Sequence, residues 1–127
     1  MWSYGMRVLF VCVGNTCRSQ MAEGWARHLG IEASSAGTSM HPGSSVAENA
    51  VEVMAEKGID ISKQTPSLID DIDHTTYDKV FSMGCGVQCP NISFNGDWQL
   101  DDPVGKGIDV YRKTRDVIEE QVRALIQ

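Results

Sequence analysis

No stretch of this sequence is built to span a bilayer: its apolar runs fall short of the ~20 consecutive residues that a membrane helix needs. No secretory leader is expected either, since "MWSYGMRVLFVCV" puts only Arg7 ahead of the apolar stretch and offers no small-residue cleavage site. On this reading Met6 is an alternative start, and residues 1–5 form a dispensable extension. Basic charge is scarce. The formal net charge of -6 argues against nucleic acid or an acidic membrane as partner, because both need a basic face. Any anion site must therefore be assembled locally, against the overall field. Repeats, low-complexity tracts and linkers are absent, so residues 1–127 are expected to form one domain. Charged residues at 22% and apolar residues at 42% are ordinary for a folded chain. A monomeric cytoplasmic protein is expected. Histidine is sparse, and His28, His41 and His74 show no ligand spacing, which leaves them surface or capping roles.

What the chain does have is four cysteines, Cys12, Cys17, Cys85 and Cys89. Without a leader they read as intracellular thiols, a setting in which cysteine serves catalysis or metal binding more often than structural disulfides.

Val8–Val13 is a continuous apolar run rich in β-branched residues, as suits a parallel strand covered on both faces. Met21, Trp25 and Leu29 recur at helical spacing, which predicts a helix over Ser19–Leu29 stopped by Gly30. A second strand is expected over Ile31–Ala36 and an amphipathic helix over Ser45–Lys57, closed by Gly58. Thr65-Pro66 has the form of a helix start, with a short helix over Ser67–Asp73 to follow. Lys79–Met83 reads as a third strand, "SFNGDWQL" holds a fourth short one, and Ile118, Val122 and Leu125 mark a C-terminal helix from near Asp109. Alternating strands and helices predict an α/β fold: one open parallel sheet of about four strands flanked by helices. Ligands of such sheets bind outside the carboxyl ends of the strands, where both cysteine-bearing loops fall.

The first loop, "CVGNTCRS", puts a thiol at a strand end and an arginine, six positions on, at a helix start. Such a turn aims successive N–H groups of Val13, Gly14, Asn15, Thr16, Cys17 and Arg18 into one concavity, and the helix N-terminus adds partial positive charge. Arg18 supplies a planar fork matched to two oxygens of a tetrahedral anion. The same field favours the nucleophilic thiolate of Cys12, with Ser19 placed to hydrogen-bond it. Gly14 allows close backbone approach, and Asn15 tolerates a left-handed bend. Two bland readings compete. The four cysteines could form a zinc site, although Arg18 beside Cys17 would repel the metal. Cys17 could simply be packed in the core.

These eight residues resemble the active-site loop of the low-molecular-weight protein tyrosine phosphatase superfamily, Cys-x-Gly-Asn-x-Cys-Arg-Ser. The match continues through the strand before, the helix after, a later Asp-Pro and a C-terminal helix. The resemblance implies that fold. It also implies that Asp102, directly before Pro103, is the general acid that protonates the leaving oxygen, with Asp101 a solvated neighbour.

Hydrolysis needs only Cys12, Arg18, Asp102 and water, which leaves "GCGVQCP" surplus. Cys85 and Cys89, loosened by Gly84 and Gly86, have the spacing of a thiol relay: one attacks a sulfur adduct and the other then displaces it. Together with "SQMAEGW" and "DWQLDDPVGK", this pair looks like the thioredoxin-coupled arsenate reductases of that superfamily. Gln20 stands where the phosphatase branch typically has Pro, and Val104-Gly105 where it carries aromatic residues. Both departures favour a small inorganic oxyanion, arsenate or a phosphate-like ion. The three residues between Cys85 and Cys89 are fewer than in the better-known reductases.

The resemblance implies arsenate reduction to arsenite through Cys12, Cys85 and Cys89, with thioredoxin or a similar thiol as reductant. The alternatives are a phosphatase acting through a Cys12 phosphoenzyme and a zinc-bound or redox-sensing module. No cofactor is expected beyond weak potassium binding near Asn15 and Glu23, with Ser35 and Thr65 as further ligands and Ser67 where an acidic ligand would stand. Trp25 and Trp98 are expected to be packing residues.

Overall fold

The computed structural model describes residues 5–39, 43–84 and 92–126. Four strands, β1 (Arg7–Cys12), β2 (Glu32–Gly37), β3 (Lys79–Ser82) and β4 (Gly96–Asp97), form one sheet in the order β2-β1-β3-β4. All neighbours are parallel, with Phe10 opposite Ser35 on one side and Phe81 on the other. Three helices accompany it: α1 (Arg18–His28), α2 (Glu48–Ala55) and α3 (Ile108–Ala124). Among the described residues, no helix is long and apolar enough to cross a membrane.

Strand β1 is central, and Val8 to Val11 are fully buried. Its side chains alternate between the two faces, as the pleat requires. Val8, Phe10 and Cys12 join a large core with Met21 and Trp25 of α1, Val53 and Met54 of α2, and Ile118 and Val122 of α3. Leu9 and Val11 face a smaller cluster with Ala36, Ile69, Val80 and Ile92. A fully buried side chain of this size contributes ~1.5–3 kcal/mol by leaving water, so β1 anchors both layers and its carboxyl end is a rigid place for a site. Trp98 packs on Phe10 at 5.3 Å and on Phe81 at 5.2 Å between ring centroids, and Trp25 lies in the core, both as expected.

The expected helix over Ser67–Asp73 does not form. Two short 3₁₀ turns, Ile69–Asp71 and His74–Thr76, lie there instead, and Leu68 makes a parallel bridge to Gly37. The cause is competition for backbone groups. The Ser67 carbonyl accepts from Gly37 N–H at 2.8 Å, and Ser67 N–H donates to the Asn15 side chain at 2.8 Å, so neither is left for an intrahelical bond. Helix α2 also starts later than Ser45, because Ala47 N–H donates to the Thr16 carbonyl at 2.9 Å while Ala47 stays extended. Helix α1 ends as expected, with Gly30 in the left-handed region at φ 90°. The fourth strand reduces to two residues.

Candidate active site

The loop between β1 and α1 closes into a bowl because its carbonyls are tied outward. The Cys12 carbonyl accepts from Thr38 N–H and the Val13 carbonyl from Ser39 N–H, both at 3.0 Å; the Thr16 carbonyl accepts from Ala47 N–H. The Asn15 carbonyl accepts from the Gln20 side-chain amide at 2.9 Å. In a planar trans peptide the C=O and the following N–H point in opposite directions. These four ties therefore turn the N–H groups of Val13, Gly14, Thr16 and Cys17 toward one concavity at the N-terminus of α1, the geometry of an anion cradle. Asn15 makes the bend at φ 56°, a conformation its side chain supports by holding Ser67 N–H.

Cys12 forms the floor. Its sulfur lies 2.8 Å from Ser19 Oγ and accepts from Asn15 N–H at 3.1 Å. Asn15 Nδ2 in turn donates to Ser19 Oγ at 2.7 Å, which leaves the Ser19 hydroxyl hydrogen free to point at sulfur. Two donors then converge on it, the arrangement that suits a thiolate.

Arg18 closes one side and is almost wholly buried. Its Nη1 donates to the Leu100 carbonyl at 3.0 Å, and its Nη2 lies 4.0 Å from the Asp102 carboxylate. Its Nε is buried without an acceptor among the described residues. A buried guanidinium N–H left unpaired costs on the order of 1–3 kcal/mol or more, and an oxyanion in the bowl would satisfy it. Gly84 permits the approach of this side chain: a Cβ there would come within 2.6 Å of both Arg18 Nη1 and the Leu100 carbonyl. Gly37 does the same for the rim, since a Cβ there would sit 2.7 Å from the Val13 carbonyl oxygen. Asp102 is exposed, with its carboxylate also accepting from Val104 N–H at 3.1 Å; it stands on the Arg18 side of the bowl, open to water. Asp101 is exposed beside it.

The structure therefore brings together Cys12, Arg18, Ser19, Asp102 and the Val13–Cys17 backbone. Cys85 and Cys89 lie outside the described residues, as does His41. Cys17 is buried beneath the loop, and burial, reinforced by nearby Cys12, pushes its thiol up to about 11. Among the described residues no group of three metal-binding side chains gathers. The potassium-type residues Glu23, Ser35, Thr65 and Ser67 line one cleft of about 760 Å³. Glu23 there accepts from Ser35 at 2.6 Å and pairs with Arg27 at 3.0 Å, while the Asn15 side-chain oxygen is spent on Ser67. The charge that would draw a potassium ion is already met by a guanidinium, so these residues fit that ion poorly.

Four contributors to the bowl carry no sequence signal of their own: the Leu100 carbonyl and the N–H groups of Thr38, Ser39 and Ala47. A fifth, Gln20, reads in the sequence only as a departure from the phosphatase pattern.

A thiol at the floor of a peptide-lined bowl, with a guanidinium and a carboxylate beside it at the strand ends, is the equipment of a cysteine-based enzyme acting on oxyanions. The chain belongs to the low molecular weight phosphotyrosine protein phosphatase family, whose profile matches residues 7–127. It is 42% identical over 125 residues to a glutaredoxin arsenate reductase of Synechocystis sp., covering 94% of this chain and 95% of the relative. Identity to an arsenate reductase of Staphylococcus aureus (strain Newman) is 38% over 120 residues, covering 88% and 89%. A solved arsenate reductase in its phosphate-binding state has a TM-score of 0.87 and 43% identity, covering 95% of this chain and 96% of that one.

Proposed function

We propose that this protein is an arsenate reductase that binds arsenate in the bowl and reduces it to arsenite through Cys12, Cys85 and Cys89. The observation that carries the oxyanion part is the buried Arg18 Nε, which lacks an acceptor beside an array of inward-turned N–H groups. The reductive part is supported by the cysteine pair at positions 85 and 89, which hydrolysis does not need, and by relatives named arsenate reductases that span nearly the whole chain.

In this reading the Cys12 thiolate attacks arsenic while Asp102 protonates the departing oxygen, which leaves as water. The product is a thiol–arsenic(V) adduct whose oxygens are held by Arg18 and the loop N–H groups. The Cys85 thiolate attacks the Cys12 sulfur, a Cys12–Cys85 disulfide forms, and the electron pair of the S–As bond stays on arsenic as arsenite. Cys89 then attacks Cys85, freeing Cys12 and leaving a Cys85–Cys89 disulfide. A dithiol or monothiol reductant, of the thioredoxin or glutaredoxin kind, supplies the two electrons that reopen it.

The test is arsenite formation with thioredoxin and, separately, with glutaredoxin and glutathione. Turnover by wild type and its loss in Cys85→Ser and Cys89→Ser support the relay; a Cys89→Ser variant as fast as wild type with both donors would overturn it. A phosphatase is the second reading, favoured by the fact that Cys12, Arg18 and Asp102 suffice for hydrolysis. It requires fast aryl-phosphate turnover indifferent to Cys85 and Cys89.

A further inference from the structure

Of the four outward ties that shape the bowl, three are made by backbone N–H groups and one by a side chain. That side chain is Gln20, in the first turn of α1, fully buried although it is polar. Its Nε2 donates to the Asn15 carbonyl at 2.9 Å. The Asn15 carbonyl can only accept, so the Gln20 amide must present nitrogen there and oxygen to its other neighbour. The neighbour is Gln64, whose Nε2 donates to Gln20 Oε1 at 2.8 Å and to the Gln20 carbonyl at 3.1 Å. Gln64 sits 44 residues downstream, on the wall of the cleft behind the loop. Two glutamines thus form one chain of donors running from that cleft to the peptide between Asn15 and Thr16.

The peptide they hold is the bend of the bowl, between a fully buried Asn15 and a half-buried Thr16. Asn15 is in the left-handed region at φ 56°, which a non-glycine residue adopts only when its surroundings insist. Rotating the Asn15–Thr16 peptide would turn the Thr16 N–H out of the bowl and the carbonyl oxygen in, replacing a donor to the anion with a repelling dipole. The neighbouring ties to Val13 and Thr16 carbonyls leave this peptide to Gln20 alone among the described residues.

We propose that Gln20, oriented by Gln64, is a positioning residue that sets the affinity of the bowl for tetrahedral oxyanions by fixing the direction of the Thr16 N–H. The proposal rests on the bowl being the oxyanion site. Neither glutamine touches the anion; each acts through the peptide plane.

The experiment compares wild type, Gln20→Met, Gln64→Met and the double variant for inorganic phosphate binding by calorimetry, with thermal melts alongside. Methionine keeps the volume and removes the amide. Gln20→Met should weaken phosphate about tenfold, equivalent to ~1.4 kcal/mol. Gln64→Met should weaken it by about threefold, and the double variant no further than Gln20→Met, because Gln64 acts only through Gln20. KM for an aryl phosphate should rise in step with the phosphate dissociation constant. Should Gln20→Met fail to fold, Gln64→Met carries the test, since it leaves the Gln20–Asn15 bond in place. Phosphate affinity within twofold of wild type in the folded variants, whatever their melting temperatures, overturns the proposal, as do fully additive losses. Failure of wild type itself to bind phosphate would overturn this role and the oxyanion site together.

Discussion

Arg18 Nη1 and the Leu100 carbonyl meet at 3.0 Å across 82 residues of sequence. This bond fixes the guanidinium plane, so that Nε and Nη2 are left for the anion, and it docks the segment carrying Asp102 against the loop carrying Cys12. In the proposed mechanism, acid and nucleophile are thereby held in register by the group that binds the oxyanion.

Lysine cannot reproduce that arrangement, because a single ammonium cannot hold Leu100 and fork two oxygens at once. Arg18→Lys should lower kcat/KM for arsenate by at least about 100-fold, on the order of the loss when one oxyanion donor is removed. Steady-state arsenite formation checks this, with a melting curve to show that the fold persists. A lysine variant within a few fold of wild type would show that charge alone suffices and that the Leu100 anchor is irrelevant.

Asp102 stands 4.0 Å from Arg18 Nη2 and open to water, a position suited to delivering a proton to a departing oxygen. Asp102→Asn keeps the shape and the Val104 N–H bond but removes the proton, which costs about 10²–10⁴-fold for general acid catalysis. A series of aryl phosphates gives the check: the deficit should shrink as the leaving phenol becomes more acidic and needs protonation less. A deficit that stays constant across the series would place Asp102 in binding instead.

Much of this arrangement was legible in the sequence because it is local. Val8–Val13 gives the buried strand, Met21, Trp25 and Leu29 the helix, and the octet from Cys12 to Ser19 the corner between them. Boundaries and ties that depend on distant partners were not. The helix expected at Ser45 starts at Glu48 because Thr16, some thirty residues earlier, claims Ala47. Thr65-Pro66 has every local mark of a helix start, yet Asn15 and Gly37 take the backbone groups of Ser67. Leu100 contributes a backbone carbonyl, which every residue has, so nothing in its identity announces the role. The cysteine pair expected to form the relay, Cys85 and Cys89, lies outside the described residues.

Cys17 should be chemically silent in the folded protein. Burial, reinforced by nearby Cys12, pushes its thiol up to about 11, so about one part in a thousand is thiolate at pH 8. In a Cys85→Ser, Cys89→Ser background, iodoacetamide at pH 8 should add one equivalent, at Cys12, and reach Cys17 only after denaturation. Mass spectrometry of the native and unfolded adducts distinguishes the two sites. Rapid native labelling of Cys17 would mean that the loop opens far more readily than its ties imply.

Glu56, just past the end of α2, joins that helix to α3 by accepting from Arg112 and from Arg115, the latter at 2.7 Å. The Arg112 hydrogen bonds, followed by that of Arg115, lower its carboxyl from 4.5 to about 2. Because the folded value lies below the unfolded one, the unfolded chain takes up the proton first as the solution is acidified. The stabilisation is therefore fully present above about pH 4.5 and fades as the pH falls toward about 2. Glu56→Gln should melt below wild type at pH 7, and the gap should close over that acid window. Glu23, whose carboxyl is raised chiefly by burial, gives the opposite slope, but it is common to both proteins and cancels in the difference. Paired melts from pH 7 to pH 2 make the comparison. A gap that stays the same across the range would show that Glu56 acts by packing or a neutral hydrogen bond, and that its charge does not tie α2 to α3.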